Sequence, residues 1–158
     1  MEFSHLDDKG NADMVGVSDK KITHRTAKAQ ASIRFPQAVY QTILDNGKQT
    51  PKGSIEGIAR IAGIMGAKKT ADLIPLCHPL PLEKCQLAFQ FLPNEPRLVI
   101  TAHAEVTHKT GIEMEALTAV SIAALTVYDM CKALSHELII EDIRLLEKTG
   151  GKSDVKFD

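Results

Sequence analysis

The chain has 158 residues, 44% of them hydrophobic and only 4% aromatic, with no tryptophan. That length suits a single domain, and the apolar share supports a core of Ala, Ile, Leu and Val and argues against a disordered chain. A formal charge of −1 argues against a nucleic-acid binder, and three cysteines without a CxxC pair argue against a disulfide scaffold and for a reducing cytoplasm.

Residues 1–24 are polar, lack the apolar run of a signal peptide, and are expected to be a mobile N-terminal segment. Residues 25–158 are expected to form one α+β catalytic domain. In residues 26–35, Ala27, Ala29, Ala31 and Ile33 alternate with Lys28, Gln30, Ser32 and Arg34, the period-two signature of a strand with one wet face. Pro36 opens a short helix over 37–44, which Asn46-Gly47 ends. An apolar stripe of Ile55, Ile58, Ala59, Ala62 and Met65 predicts a helix over 54–70. Its Gly57, Gly63 and Gly66 are poor helix formers, so they either permit close backbone approach or are simply tolerated.

Residues 73–82, LIPLCHPLPL, hold three prolines and predict a rigid loop. Strands over 83–92 and 97–108 form a hairpin across Pro93-Asn94-Glu95-Pro96. A helix over 111–133 is apolar most of the way round and is expected to be buried on more than one side. The longest apolar stretch, Leu117 to Val127, is shorter than the about 20 residues of a bilayer span, so a soluble protein is expected. A strand over 138–146 and a basic glycine loop over 148–152 (KTGGK) complete the chain. The order β-α-α-β-β-α-β implies an antiparallel sheet with helices packed on one face.

Charged residues in unusual places are the candidates for chemistry. Lys52 precedes a helix whose free N–H groups and positive dipole end suit phosphate, although a lysine there is also an ordinary surface residue. His78 sits in the proline-braced loop, suited to phosphate binding or proton transfer. Cys77, His78, Cys85, His103 and His108 show no recognised metal-ligand spacing, and no metal is expected. On the long helix, Glu113, Met114 and Glu115 stand at the start, while Asp129 and Lys132, three apart, can pair near the end. Apolar neighbours Val127, Tyr128, Met130 and Cys131 suggest that this pair is partly buried. Glu115 and Asp129 lie on nearly the same face but about 21 Å apart along the axis, so one small ligand touching both needs two subunits. Lys109, Lys148 and Lys152 offer a further basic lining, and Gly150 and Gly151 allow their loop to approach a phosphate closely.

LIPLCHPLPL at 73–82 and KTGIEMEALTAVSIAALTVYDMCKAL at 109–134 closely resemble the MoaC family, the cyclic pyranopterin monophosphate synthases. DMVGVS at 13–18, KGSIEGIARIAGIMGAKKT at 52–70 and RLLEKTGGKS at 144–153 match in the expected order. The resemblance implies a ferredoxin-like α+β fold and a homohexamer built as a trimer of dimers, with sites at the dimer interface. It implies conversion of 3′,8-cyclo-7,8-dihydro-GTP, made by an upstream radical enzyme, into cyclic pyranopterin monophosphate and pyrophosphate, without metal or organic cofactor. By motif position, Asp129, Lys52 and Lys132 are similar to the family's catalytic residues. Leu76, Cys77, His78, Glu113, Met114 and Glu115 are similar to its substrate contacts, and Arg25, Lys148 and Lys152 to its triphosphate contacts. Crowding by a second cation, or partial burial, is expected to lower the pKa of one lysine toward neutrality, fitting it to move protons. Three other functions compete: a non-catalytic nucleotide-binding module, a metal-dependent hydrolase using His78, His103 and His108, and a purely structural oligomer.

Overall fold

The computed structural model describes residues 2–158. In chain order the elements are β1 (Thr23–Arg34), α1 (Gln37–Asp45), β2 (Gln49–Thr50), β3 (Gly53–Ser54), α2 (Ile55–Lys68) and α3 (Thr70–Leu73). They continue with β4 (Lys84–Phe91), β5 (Arg97–His108), α4 (Glu113–Cys131), β6 (Ile139–Thr149) and β7 (Val155–Lys156). β4, β5, β1, β6 and β7 form one sheet in that order, every neighbouring pair antiparallel. This is the ferredoxin-like arrangement, with β1 between β5 and β6.

The alternation in β1 has the expected consequence. Ala27, Ala29, Ala31 and Ile33 are fully buried beneath the helices, and on the other face Lys28 and Arg34 are exposed and Gln30 is half-buried, but Ser32 is buried, so that face is not wet throughout. α4 lies on β1, β5 and β6, and α2 packs against α4 and β4. Buried between sheet and helix, α4 hides Ala116, Ala119, Val120, Ala123, Ala124 and Val127 completely. Each fully buried Val or Ile contributes roughly 1.5–3 kcal/mol. α4 is a 19-residue helix with mean hydropathy 1.3, long and apolar enough to cross a bilayer, and its place in the core accounts for that composition.

Small residues set the spacing between α2 and α4. A Cβ on Gly63 would lie 2.6 Å from Leu87 Cδ2 and 2.9 Å from the Ala119 carbonyl oxygen. One on Gly66 would lie 2.7 Å from Ile122 Cγ1. Close approach, and not mere tolerance, therefore explains these two glycines. The start of α2 is capped by Ser54, whose Oγ accepts from the Gly57 N–H at 3.1 Å.

Four local details go beyond the expected elements. Pro51 and Lys52 lie at the tip of a hairpin of two-residue strands, β2–β3, just before α2. The second helix breaks at Lys69 into α3. β6 extends to Thr149 because its pairing with β1 continues through Ala27↔Lys148 and Thr26↔Thr149, so Lys148 is a strand residue and not a loop residue. At the N-terminus, a bridge joins Leu6 and Ala12.

Candidate active site

Two groups of predicted residues assemble, one at each end of α4. At its C-terminal end, Asp129 accepts from Lys132 Nζ through Oδ1 at 2.8 Å and from Lys52 Nζ through Oδ2 at 2.9 Å. Helix geometry explains the first contact, since the residues are three apart. The β2–β3 hairpin explains the second by carrying Lys52 across to a residue 77 positions away. The Lys132 ammonium first, then that of Lys52, holds the Asp129 carboxyl down at about 2, and Asp129 in turn raises Lys132.

Two expectations fail here. The Asp129 side chain is 53% exposed and that of Lys132 49%, so the pair is not buried. Leu125, Asp129 and Lys132 form the outward stripe of α4, while Val127, Met130 and Cys131 turn inward. Nor is Lys132 lowered toward neutrality by a second cation. A carboxylate stands between the two ammoniums and keeps Lys132 charged. Each ammonium has three donors and gives one to Asp129, which leaves a donor-rich surface of net positive charge suited to phosphate oxygens.

At the N-terminal end of α4, the proline-braced loop and the first helical turn enclose a cavity of about 410 Å³. Leu76, Cys77, His78, Glu113, Met114 and Glu115 all line it, as does His5. Glu115 is only 4% exposed, and burial, aided by the nearby Glu113 charge, pushes its carboxyl up to about 7. A carboxyl poised there exchanges protons readily at neutral pH. The Cys77 thiol is raised by burial and then by Glu115 and Glu113, which disfavours thiolate chemistry.

A second cleft, of about 540 Å³, adjoins the first and shares Thr110, Gly111 and Glu113 with it. Lys20, Lys21, Arg25, Lys148 and Lys152 give it a strongly positive lining. Arg25 is held by the carbonyls of His108 (Nε, 3.1 Å) and Lys109 (Nη2, 3.2 Å), and Lys148 forms an ion pair with Glu113 at the shared wall. Gly150, at φ +86°, brings the last loop so close to β1 that a Cβ would fall 2.0 Å from the His24 carbonyl oxygen. Lys109 does not line this cleft; its Nζ donates to the Ser18 carbonyl oxygen at 3.2 Å.

Within one chain the two ends of α4 do not meet. From Glu113 to Asp129 the helix rises about 24 Å. The histidines of the hydrolase alternative do not converge either. His78 lines the cavity, whereas His103 pairs with Glu105 at 2.7 Å, and among the described residues no three His, Cys, Asp or Glu side chains are grouped to hold a metal ion.

Three ionisable lining residues, Lys20, Lys21 and His5, were not singled out from the sequence. Lys20 and Lys21 had a signal, a basic pair just before β1. His5 had no signal at all.

Against protein-family profiles, residues 14–151 match the MoaC family. The match spans α4, the proline-braced loop and the segments carrying Lys52 and Arg25. The chain therefore belongs to the MoaC family, an enzyme family of molybdenum cofactor biosynthesis.

Proposed function

We propose that the protein is a cyclic pyranopterin monophosphate synthase. It converts 3′,8-cyclo-7,8-dihydro-GTP, supplied by an upstream radical enzyme, into cyclic pyranopterin monophosphate, releasing pyrophosphate as a phosphorus–oxygen lyase of the cytoplasm. Family membership supports this, and one geometric observation carries it: two ammoniums from distant segments converge on a single carboxylate at an exposed helix end.

In this mechanism Asp129 positions Lys52 and Lys132, whose donors neutralise charge as pyrophosphate departs. Arg25, Lys148 and Lys152 hold the remaining phosphate oxygens in the positive cleft. The adjoining cavity, with Leu76, Cys77, His78, Glu113 and Met114, receives the ring system. Glu115 exchanges protons there while the purine-derived ring opens and closes again as a pterin.

The two groups serve one substrate when a second copy of the chain brings the Asp129 end of its α4 to the cavity. An antiparallel pairing of α4 across a two-fold axis does so and generates two identical sites. Such dimers assemble as a hexamer. Exposed Ile61 and Met65 on α2 and Leu125 on α4 supply apolar area for subunit contact. The test is to incubate the purified protein with 3′,8-cyclo-7,8-dihydro-GTP and measure pterin product and pyrophosphate together. Equal amounts of both are expected; nucleotide binding without product contradicts the proposal.

A further inference from the structure

His5 stands apart from the chain around it. Among residues 2–14 every residue is exposed except His5. Its side chain lines the cavity that also holds Cys77, His78, Glu113 and Glu115. Its Nδ1 is shielded from solvent and has no hydrogen-bond partner among the described residues. A shielded ring nitrogen without a partner is costly, so this position gains if a group in the cavity bonds to it.

The backbone around His5 is built to hold it there. His5 adopts φ +65°, a left-handed conformation that histidine enters more readily than most non-glycine residues. Its carbonyl oxygen accepts from the Asp13 N–H at 2.7 Å, and the Leu6–Ala12 bridge closes the loop. Inside the loop, Asp7 Oδ1 accepts from the N–H groups of Lys9 (2.9 Å) and Asn11 (2.8 Å), an Asx-type turn. The result is a small self-bonded strap with an exposed outer side and one imidazole turned in. Nothing in the core requires such a strap, since its apolar residues Leu6 and Ala12 are themselves exposed.

We propose that His5 is a substrate-contacting residue of this site, and that residues 5–13 form a strap closing over the ring end of the substrate. The inference rests on the function proposed above. His5 supplies a hydrogen bond through Nδ1 to a polar edge of the bound ring, and the strap limits water access while the ring is open. Entry and release of substrate require the strap to lift, which is feasible because its hydrogen bonds are internal and few tie it to the domain.

The test compares wild type, His5→Ala, His5→Asn and His5→Gln in the full-length protein, measuring kcat, KM and the melting temperature. An asparagine amide occupies the position of Nδ1, whereas a glutamine amide reaches that of Nε2. His5→Ala is expected to lose roughly 10- to 100-fold in kcat/KM, with an unchanged melting temperature. His5→Asn recovers most of the loss and His5→Gln little. In parallel, hydrogen exchange at the Asp13 amide of wild type is expected to slow when the cyclised dihydro-GTP substrate is added. Wild-type kinetic constants in His5→Ala, equal recovery by Asn and Gln, or unchanged exchange at Asp13 overturns the proposal while leaving the assigned reaction standing. Absence of turnover by wild type overturns that assignment, and this inference with it.

Discussion

Lys52 and Asp129, 77 positions apart in the chain, meet at 2.9 Å, and Lys132 completes the triad at 2.8 Å on the other carboxylate oxygen. All three side chains are about half exposed, so the contact contributes little to folding. In the proposed mechanism its value lies in presenting the donors of two lysines on one surface. The pairing of a short hairpin tip with a helix end is what permits this, because neither element alone supplies both lysines.

Lys52→Ala and Lys132→Ala should each lower turnover on the order of 10²–10³-fold, the usual cost of removing one charge-stabilising donor. Circular dichroism and gel filtration should show fold and assembly unchanged. Asp129→Asn should impair activity as well, by releasing both ammoniums. Near-normal turnover in the two lysine variants would remove them from the mechanism.

Glu115 makes stability depend on pH in a direction opposite to that of most carboxylates. Its carboxyl is raised from 4.5 to about 7 in the folded protein. Between those values the unfolded chain releases a proton that the folded chain retains. Stability therefore falls as pH rises through this window, by at most about 3 kcal/mol, and the penalty is complete above about pH 7. Glu115→Gln should be more stable than wild type at pH 8, with a much smaller difference at pH 5, as read from urea midpoints. Equal differences at both pH values would show that the carboxyl is not raised. The same variant should lose the inflection near pH 7 in the pH dependence of kcat.

Gly63→Ala should destabilise the fold. Alanine gains up to about 1 kcal/mol in helix propensity, but the new methyl would contact Leu87 and the Ala119 carbonyl inside van der Waals distance. Overpacking of this kind costs about 1–3 kcal/mol and prevails because backbone cannot move aside cheaply. Gly57→Ala, where a Cβ meets only Ser54 atoms at 3.3 Å, should lose less. A higher denaturation midpoint for Gly63→Ala would refute the close-packing explanation of α2 against α4.

Lys148→Ala and Lys152→Ala should act mainly on KM. Both line the positive cleft proposed to hold phosphates, away from the Asp129 triad of the same chain. The loss should shrink as salt is raised, because partly exposed charges are screened at about 10 Å in 0.1 M salt. A salt-independent fall in kcat with KM unchanged would place them elsewhere in the mechanism.

Much of this architecture was legible before any coordinates, for identifiable physical reasons. β1 announced itself because one face is alanine and isoleucine and the other is charged. α4 did so because a helix apolar all round must be enclosed. The proline-braced loop was legible because three prolines exclude helix and central strand. The β2–β3 hairpin escaped notice because two-residue strands leave no periodic trace, and with it the route by which Lys52 reaches Asp129. The exposure of Asp129 was misjudged from its sequence neighbours. Val127, Met130 and Cys131 are buried, yet successive helix positions point about 100° apart, and Asp129 shares its face with exposed Leu125. His5 was illegible because a single histidine in a polar segment shows its role only when a cavity is seen beside it.

The central claim is that one site draws its two halves from two copies of the chain. The direct measurement is complementation: Lys52→Ala and Glu115→Gln proteins, each impaired alone, are unfolded together in equal amounts, refolded and assayed. Shared sites predict recovery to about a quarter of wild-type activity, since random pairing leaves that fraction of sites with both native halves. Activity no higher than that of the parent variants would contradict a site built across subunits.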